Sequence, residues 1–415
     1  MSLRGVTLKE GRIGTNVSGD SREFGIICNG VTVQDKAGLN TTYKLLRPSD
    51  AEALGITEDY DKENNVRVFR HISEFYRRAT EGRALHIRLV PQAMKPAEMV
   101  DEAKILAVEA EGKISDLVFA YNPPEGHEET LVDGFNGDVR AAIQPLQQFA
   151  EWTDQKDMPL HTILEGRALA DDLSTVIDLR ALKVGEAVLM AEKVTCVFGQ
   201  DWAYADTLDD LGKKFADVGT FLGVIASQAW NRNPGEVETQ NLSNATLGVW
   251  TIGGLSNHKK YSEVFESLET LNDKGYVFPI KFQGLSGYWW NDGHVCAPII
   301  MDAKGNMNQH TIYYSHTMDE AKRNLRRVYL PEVKKPVQLE DGKLPVGMVD
   351  YYNEIGNAEF ERLASPGTNL ISEGKAYTDA DSDLLIEKLL KISFAVVPTG
   401  CVNEISGTIN LKNQA

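Results

Sequence analysis

The chain has 415 residues, a quarter of them charged and 42% hydrophobic, with a formal net charge of −17. That length exceeds what one ordinary core holds, and the balance is that of a soluble globular protein, not a disordered or fibrous one. The acidic excess argues against a broad basic surface for nucleic acid, because such binding rests on many Lys and Arg contacts that release counterions.

The opening residues carry charges throughout, lack the apolar stretch of an export signal, and read as a short extended arm over 3–17 with Val6 and Leu8 on one face. Residues 22–29 (REFGIICN) form a buried-strand pattern that ends in the turn signal Asn29-Gly30. Ser49 or Asp50 caps a brief helix that Gly55 stops. Val68, Ile72, Phe75 and Ala79 then fall on one helical stripe, with Arg67, Arg70, Arg77 and Arg78 mostly off it. Gly82 ends that helix, and Leu85, Ile87 and Leu89 alternate as a strand. Pro96 opens the next helix and Gly112 closes it, after which 117–121 (LVFAY) reads as a strand buried on both faces.

A helix within 139–152 is begun or interrupted by Pro145, and strands follow at 161–165 and 188–197. The stripe Leu211, Phe215, Val218, Leu222, Ile225 and Ala229 predicts a long helix over 211–229. A strand at 246–252, a helix at 261–271 and strands at 276–282 and 288–296 complete the alternation. This order predicts an α/β fold: a mixed sheet core with flanking helices, extended terminal arms and a smaller C-terminal α+β portion.

Thr317 and Glu320 read as a capping box that opens a helix with Ala321, Leu325 and Val328 on one side. Lys322, Arg323, Arg326 and Arg327 take the other side, a cationic face on an acidic chain. Beyond Leu330 a Pro, Lys and Asp-rich connector leads to helices at 349–363 and 381–390. The last stretch, 391–412, alternates at Ile392, Phe394 and Val396, turns at Pro398, Thr399 and Gly400, and alternates again at Ile405, Gly407, Ile409 and Leu411. A terminal strand with little after it needs a partner for its edge, in its own sheet or in another molecule. The expected division is an arm over 1–20, a body over 21–330 divisible near 95–115, a connector and C-terminal subdomain over 331–402, and a terminal strand or arm over 403–415.

Motifs for chemistry are missing. Gly342-Lys343 lacks the upstream glycine of a phosphate loop and has Leu344 where Ser or Thr is needed, and no GxGxxG joins a strand to a helix. Asp379, Asp381 and Asp383 mimic the start of a calcium loop, but Leu384 and Leu390 stand where Gly and Glu belong. Cys28, Cys196, Cys296 and Cys401 show no CxxC or zinc spacing and read as small buried thiols in strands. His161 and His294 read as satisfied core or surface histidines. Asp20, His71 or His161 and a serine make a triad only on paper, with no GxSxG elbow. Tyr288, Trp289 and Trp290 read as apolar cover on both faces of a strand, not a stacking site. No catalytic residue, cofactor or metal is expected, nor any membrane insertion, because no run reaches the roughly 18 apolar residues of a span.

The strand at 24–28, RPSDAEALGI at 47–56 and VFRHISEFYRRATEGRALHIRLVPQ at 68–92 resemble the opening of contractile phage tail sheath proteins. Phe75 and Tyr76, Gly82 and the strand 85–90 carry that likeness, although Glu81 and Gly82 stand where the family has paired glycines. Later, GYWWNDGHVCAP, the basic helix, the connector with EDGKL and the terminal VVPTGCVNEISGTINL are also similar, most of all to compact sheath-like proteins of prophage clusters. A Pro-Gly-Val-Tyr opening and a large extra surface domain are absent.

The resemblance implies a virion or phage-tail-like structural subunit that assembles in the bacterial cytoplasm into helically stacked six-fold rings around an inner tube. Its partners would be copies of itself, the tube protein and baseplate components. Terminal arms, here Val6, Leu8, Ile405, Ile409 and Leu411, would add strands to neighbours. Lys322, Arg323, Arg326 and Arg327 would face the tube. The competing readings are a cytoplasmic α/β enzyme without a recognisable motif and another tail or baseplate component.

Overall fold

The computed structural model describes residues 22–79, 81–244, 250–409 and 411. With the longer elements numbered in chain order, the central sheet comprises β1 (Glu23–Gly30), β2 (Thr42–Leu45), β3 (Leu85–Pro91), β4 (Ile114–Ala120), β5 (His161–Glu165) and β6 (Val194–Val197), arranged β6-β5-β4-β1-β3-β2. Neighbours run parallel except β2, which pairs antiparallel with β3 at one edge. Parallel strands need long crossovers. Helices α1 (Val68–Ala79), α2 (Val100–Glu109) and α3 (Gly137–Gln155) supply them, and α4 (Val218–Ser227) packs beside α1. Residues 95–115 therefore hold a crossover of one continuous sheet, not a break between subdomains.

Successive strand residues face opposite sides of a sheet, so both sides of this one must be covered. Ile27, Phe119 and Leu164 join a core under α2 and α3, whereas Phe24, Ile26, Val118 and Ile163 join a second core under α1 and α4. The contact between α1 and α4 is close because Gly219 and Gly223 carry no side chain. A Cβ on Gly219 would lie 2.4 Å from the His71 carbonyl oxygen, and one on Gly223 would lie 2.7 Å from that of Phe75. Asp61 closes the start of α1, accepting from Phe69 N at 3.0 Å and Arg70 N at 2.8 Å. Helix α3 runs through Pro145 and is capped by Asn136, whose Oδ1 accepts from Asp138 N at 2.9 Å.

Several expected elements come out shorter. The helix expected over 211–229 splits into a tight turn at Gly212–Lys214 and α4. Gln200 explains the break, since its Nε2 donates to the carbonyls of Lys213 and Phe215 that a continuous helix would use itself. The helix expected at 261–271 is two short turns, Tyr261–Glu263 and Phe265–Ser267, followed by Leu268–Asp273. The strands expected at 276–282 and 288–296 reduce to Pro279–Ile280 paired with Trp289–Trp290. Most of the strand expected at 246–252 lies outside the described residues. Trp290 is packed edge-on against Phe221 and Trp250, which fits apolar cover.

The C-terminal part contains α5 (Ile312–Tyr329), α6 (Val346–Ala364) and a hairpin of β7 (Ile371–Thr378) and β8 (Ile392–Pro398). Helix α5 starts earlier than the sequence pattern indicates. Thr311 is its cap, Ile312 and Tyr313 sit in the body core, and Thr317 lies mid-helix with its hydroxyl donating to Tyr313 O at 2.8 Å. The helix ends just before the boundary expected near 331 yet takes part in two cores: farther along, Ala321 and Leu325 join Phe360, Leu363, Leu370 and Ile371 in a small separate core. Residues 381–390 form turns instead of a helix. Asp383 accepts from the Leu385 and Ile386 amides, and Lys388 takes a left-handed φ of 53°.

Candidate functional site: an assembly surface

Doubly wound parallel sheets take small ligands beyond the carboxyl ends of their strands, where the crossovers diverge. Here that point is β1, between β3 and β4, and the chain fills it. Asn29 Nδ2 donates to Pro91 O and Met94 O, each at 2.8 Å, and Asn29 Oδ1 accepts from Asn122 N at 3.0 Å. Glu165 accepts from Tyr121 N at 2.7 Å and Ala216 N at 3.1 Å, and burial raises its pKa to about 7. Arg70 is enclosed by Glu74 and Asp217, each at 3.1 Å, and Asp201 at 3.3 Å. These polar groups are spent on one another.

His161 does meet a serine: its Nδ1 lies 3.0 Å from Ser315 Oγ and its Nε2 lies 2.9 Å from Thr195 Oγ1. Lys193 Nζ reaches the same Ser315 at 2.9 Å and Asp319 at 2.5 Å. All are buried, and burial drives the His161 pKa well below the ordinary histidine value. This network docks α5 on the sheet, as does His316 Nε2, 2.6 Å from Asp116 Oδ1. His294 is held by Arg180 and Asn272, each at 3.0 Å. Among the described residues no cluster of His, Cys, Asp and Glu is grouped to hold a metal, and no helix is long and apolar enough to cross a membrane. Cys28, Cys196 and Cys296 are buried as expected; Cys401 is exposed, a correction to the reading of all four as core thiols.

The basic residues of α5 do not form a free face. Arg323 turns into the body and donates to the carbonyls of Gly112 at 2.8 Å, Ile114 at 3.1 Å and Pro159 at 2.5 Å. Lys322 pairs with Asp154 at 2.8 Å and Arg326 with Asp157 at 3.0 Å, both carboxylates lying at the end of α3. Arg327 donates to Asn324 at 2.6 Å and keeps 69% of its side chain exposed.

The arm residues stand apart. Among the described residues no strand forms after Pro398, and Ile405 is 89% and Ile409 98% exposed, with Leu411 fully so. Val6 and Leu8 lie outside the described residues. Beside the arm's origin, the β7–β8 hairpin lies flat on α6 because a side chain on Gly374 would strike Phe360. Its two edges differ. On β7, Ala376 N donates to Asn357 Oδ1 at 2.9 Å and Thr378 N to Asn353 Oδ1 at 2.7 Å, so α6 caps that edge. The outer edge of β8 has no such cap among the described residues. Next to β8 a groove of about 940 Å³ opens, walled by Leu325, Tyr329, Val333, Leu389 and Phe394 and flanked by Lys334, Lys335 and Lys388.

Sequence reasoning missed β7, the asparagine caps and the groove. The one signal for the groove was the apolar run Leu384, Leu385, Ile386, Leu389 and Leu390, which lies outside all three cores; Leu385 and Ile386 stay exposed.

This architecture is that of solved contractile-machine subunits. A chain of the contracted helical sheath of the anti-feeding prophage aligns over 99% of both chains, with a TM-score of 0.59 at 10% identity. A chain from the six-fold symmetrised baseplate of the same particle aligns over 99% of both with a TM-score of 0.62 at 12% identity. A chain of the contracted sheath complex of PVC, an extracellular contractile injection system, gives a TM-score of 0.57 at 11% identity, covering 100% of this chain and 99% of that one. No curated protein matches. The family model described as DUF2586, N-terminal domain matches residues 5–294, well over half the sequence, and the chain therefore belongs to the DUF2586 family.

Proposed function

We propose that this chain is the structural subunit of a contractile sheath, not an enzyme, assembling into helically stacked six-fold rings around an inner tube in a phage-tail-like particle. One observation carries the reading: in a chain of sheath fold, a terminal arm with uncovered Ile405, Ile409 and Leu411 accompanies an uncapped β8 edge beside an unfilled apolar groove. Strand addition would satisfy all three at once, with main-chain hydrogen bonds to β8 and apolar side chains over the groove. A contact between unlike surfaces builds rings or open helices, the symmetry a sheath requires. Val6 and Leu8 belong to the same proposal as the second arm.

Lys322, Arg323, Arg326 and Arg327 are proposed to lie on the side of an acidic tube. Arg326 and Arg327 would carry that contact, and Lys322 and Arg323 would brace the helix behind them. The likeness to a baseplate chain favours one second reading, a closed ring at the base of the particle.

Electron microscopy of the purified protein, alone and with tube protein from the same gene cluster, tests both. Striated hollow cylinders support the sheath, single closed rings support the baseplate, and dispersed particles in every mixture count against both. Deleting 403–415 is expected to leave the folded monomer unchanged and abolish cylinders; loss of the fold would sink the arm assignment.

A further inference from the structure

Between the end of β8 and the exposed arm, the chain crosses from the C-terminal unit back to the body and is fastened there. Asn231 Nδ2 donates to Thr399 Oγ1 at 2.7 Å and to Asn369 O at 2.6 Å, joining the arm root to the turn before β7. Four residues later, Asn403 Nδ2 donates to Asp292 Oδ2 at 2.8 Å. The other oxygen of Asp292 accepts from Asn233 Nδ2 at 2.8 Å and Gly293 N at 2.7 Å. Asp292 is only 5% exposed, and its platform is rigid, since Ile312 N at the start of α5 donates to Gly293 O at 2.8 Å. Past Asn403 every described residue is exposed.

We propose that Asp292 is the anchor from which the arm takes its direction, and that Asn403 is the last fixed residue before the arm is handed to a neighbouring copy. The carboxylate suits the task because all three of its contacts are donors, and a charged acceptor makes the stronger bonds. The anchor fixes where the arm leaves the body, so it sets the register in which the arm meets β8 of the next subunit. This inference rests on the sheath reading for its consequence but not for its chemistry.

The pair can be inverted. In Asp292→Asn, either orientation of the new amide sets an NH2 against a donor; in Asn403→Asp, two carboxylates face each other. In the double variant the new amide at position 292 would keep its oxygen toward Asn233 and Gly293 and donate its NH2 to the new carboxylate at position 403. The bond then returns with its polarity reversed.

Cleavage within 399–403 by a broad-specificity protease, mapped by mass spectrometry in the unassembled full chain, is expected to speed up about tenfold or more in each single variant, the loss of one charge-assisted bond, and to return toward wild type in the double. Cylinders from the single variants are expected to be short or irregular, and those from the double variant regular. Wild-type cleavage in both single variants, or no rescue in the double, overturns the anchor. Faster cleavage with regular cylinders overturns its role in register while leaving the sheath reading intact. A wild-type chain that forms no cylinder sinks the sheath reading, and the cleavage result alone then decides whether the anchor exists.

Discussion

The sheet body and the C-terminal hairpin unit use similar residues but cover their apolar surface to different degrees. In the body, each face of the sheet is closed by two helices, and strand residues from Phe24 to Val197 are almost all buried. In the hairpin unit, a few side chains around Phe360 form the core, while Leu385, Val397 and the arm residues face outward. The body closes its own core; on the sheath proposal, the hairpin unit would be finished by contacts that a single copy does not supply. Helix α5 joins them, held to the body by apolar Ile312 and Tyr313 and by polar Asp319, His316 and Arg323, and to the hairpin unit by Ala321 and Leu325.

The sharpest way to break this comparison is to cut the same side chain from each region. Phe75→Ala, in the body, is expected to cost about 3–5 kcal/mol in urea unfolding. Phe394→Ala, partly exposed beside the groove, is expected to cost about 1 kcal/mol in the monomer. Equal losses would mean that the hairpin unit is as well closed as the body. Next in size is Arg323→Ala, which leaves three carbonyls without their donor and is expected to cost about 1–3 kcal/mol. It should also let the hairpin unit melt ahead of the body, seen as faster amide exchange in β7 and β8; unchanged exchange there would show that α5 is not the strut between them.

The polar half of the α5 attachment has a pH signature. His161 is buried and neutral, with a folded pKa well below 6.5, so its contribution is present above about pH 6.5 and is lost as pH falls below it. In His161→Gln this linkage is absent. The variant should be less stable than wild type at pH 7.5, and the gap should close on acidification by up to about 1.4 kcal/mol per pH unit. A gap that stays constant with pH would remove His161 from the account. The smallest monomer effect is expected for Arg326→Glu with Arg327→Glu: these pairs are exposed, and the change should cost about 1 kcal/mol or less in the monomer while abolishing tube binding. Retained tube binding would take both residues off that interface.

The same contrast governs what the sequence made legible. In the body, burial on both faces wrote continuous apolar runs into β1, β4 and β5 and a clean stripe into α1, so those elements could be placed from residue pattern alone. Strand β7 left no such trace: ISEGKAYT buries only Ile371 and Ala376, and its edge is satisfied by Asn353 and Asn357 from a helix, a long-range pairing that local pattern does not encode. The start of α5 was missed because Thr317 and Glu320 imitate a cap while the true cap, Thr311, precedes two residues that belong to the body core. The four basic residues of α5 gave a face by periodicity, but only the fold could set Asp154, Asp157 and three bare carbonyls opposite them.

The bare glycines at 219 and 223 bear on mechanics. Two helices in contact backbone to backbone have no compliant side-chain layer between them, so α1, α4 and the sheet beneath act as a stiff block. Load passed from one copy to the next would be transmitted through that block without being absorbed. In the proposed assembly, any large displacement would then fall at the joint after Asn403, where work done on the assembly would become rotation of whole bodies and not deformation within them.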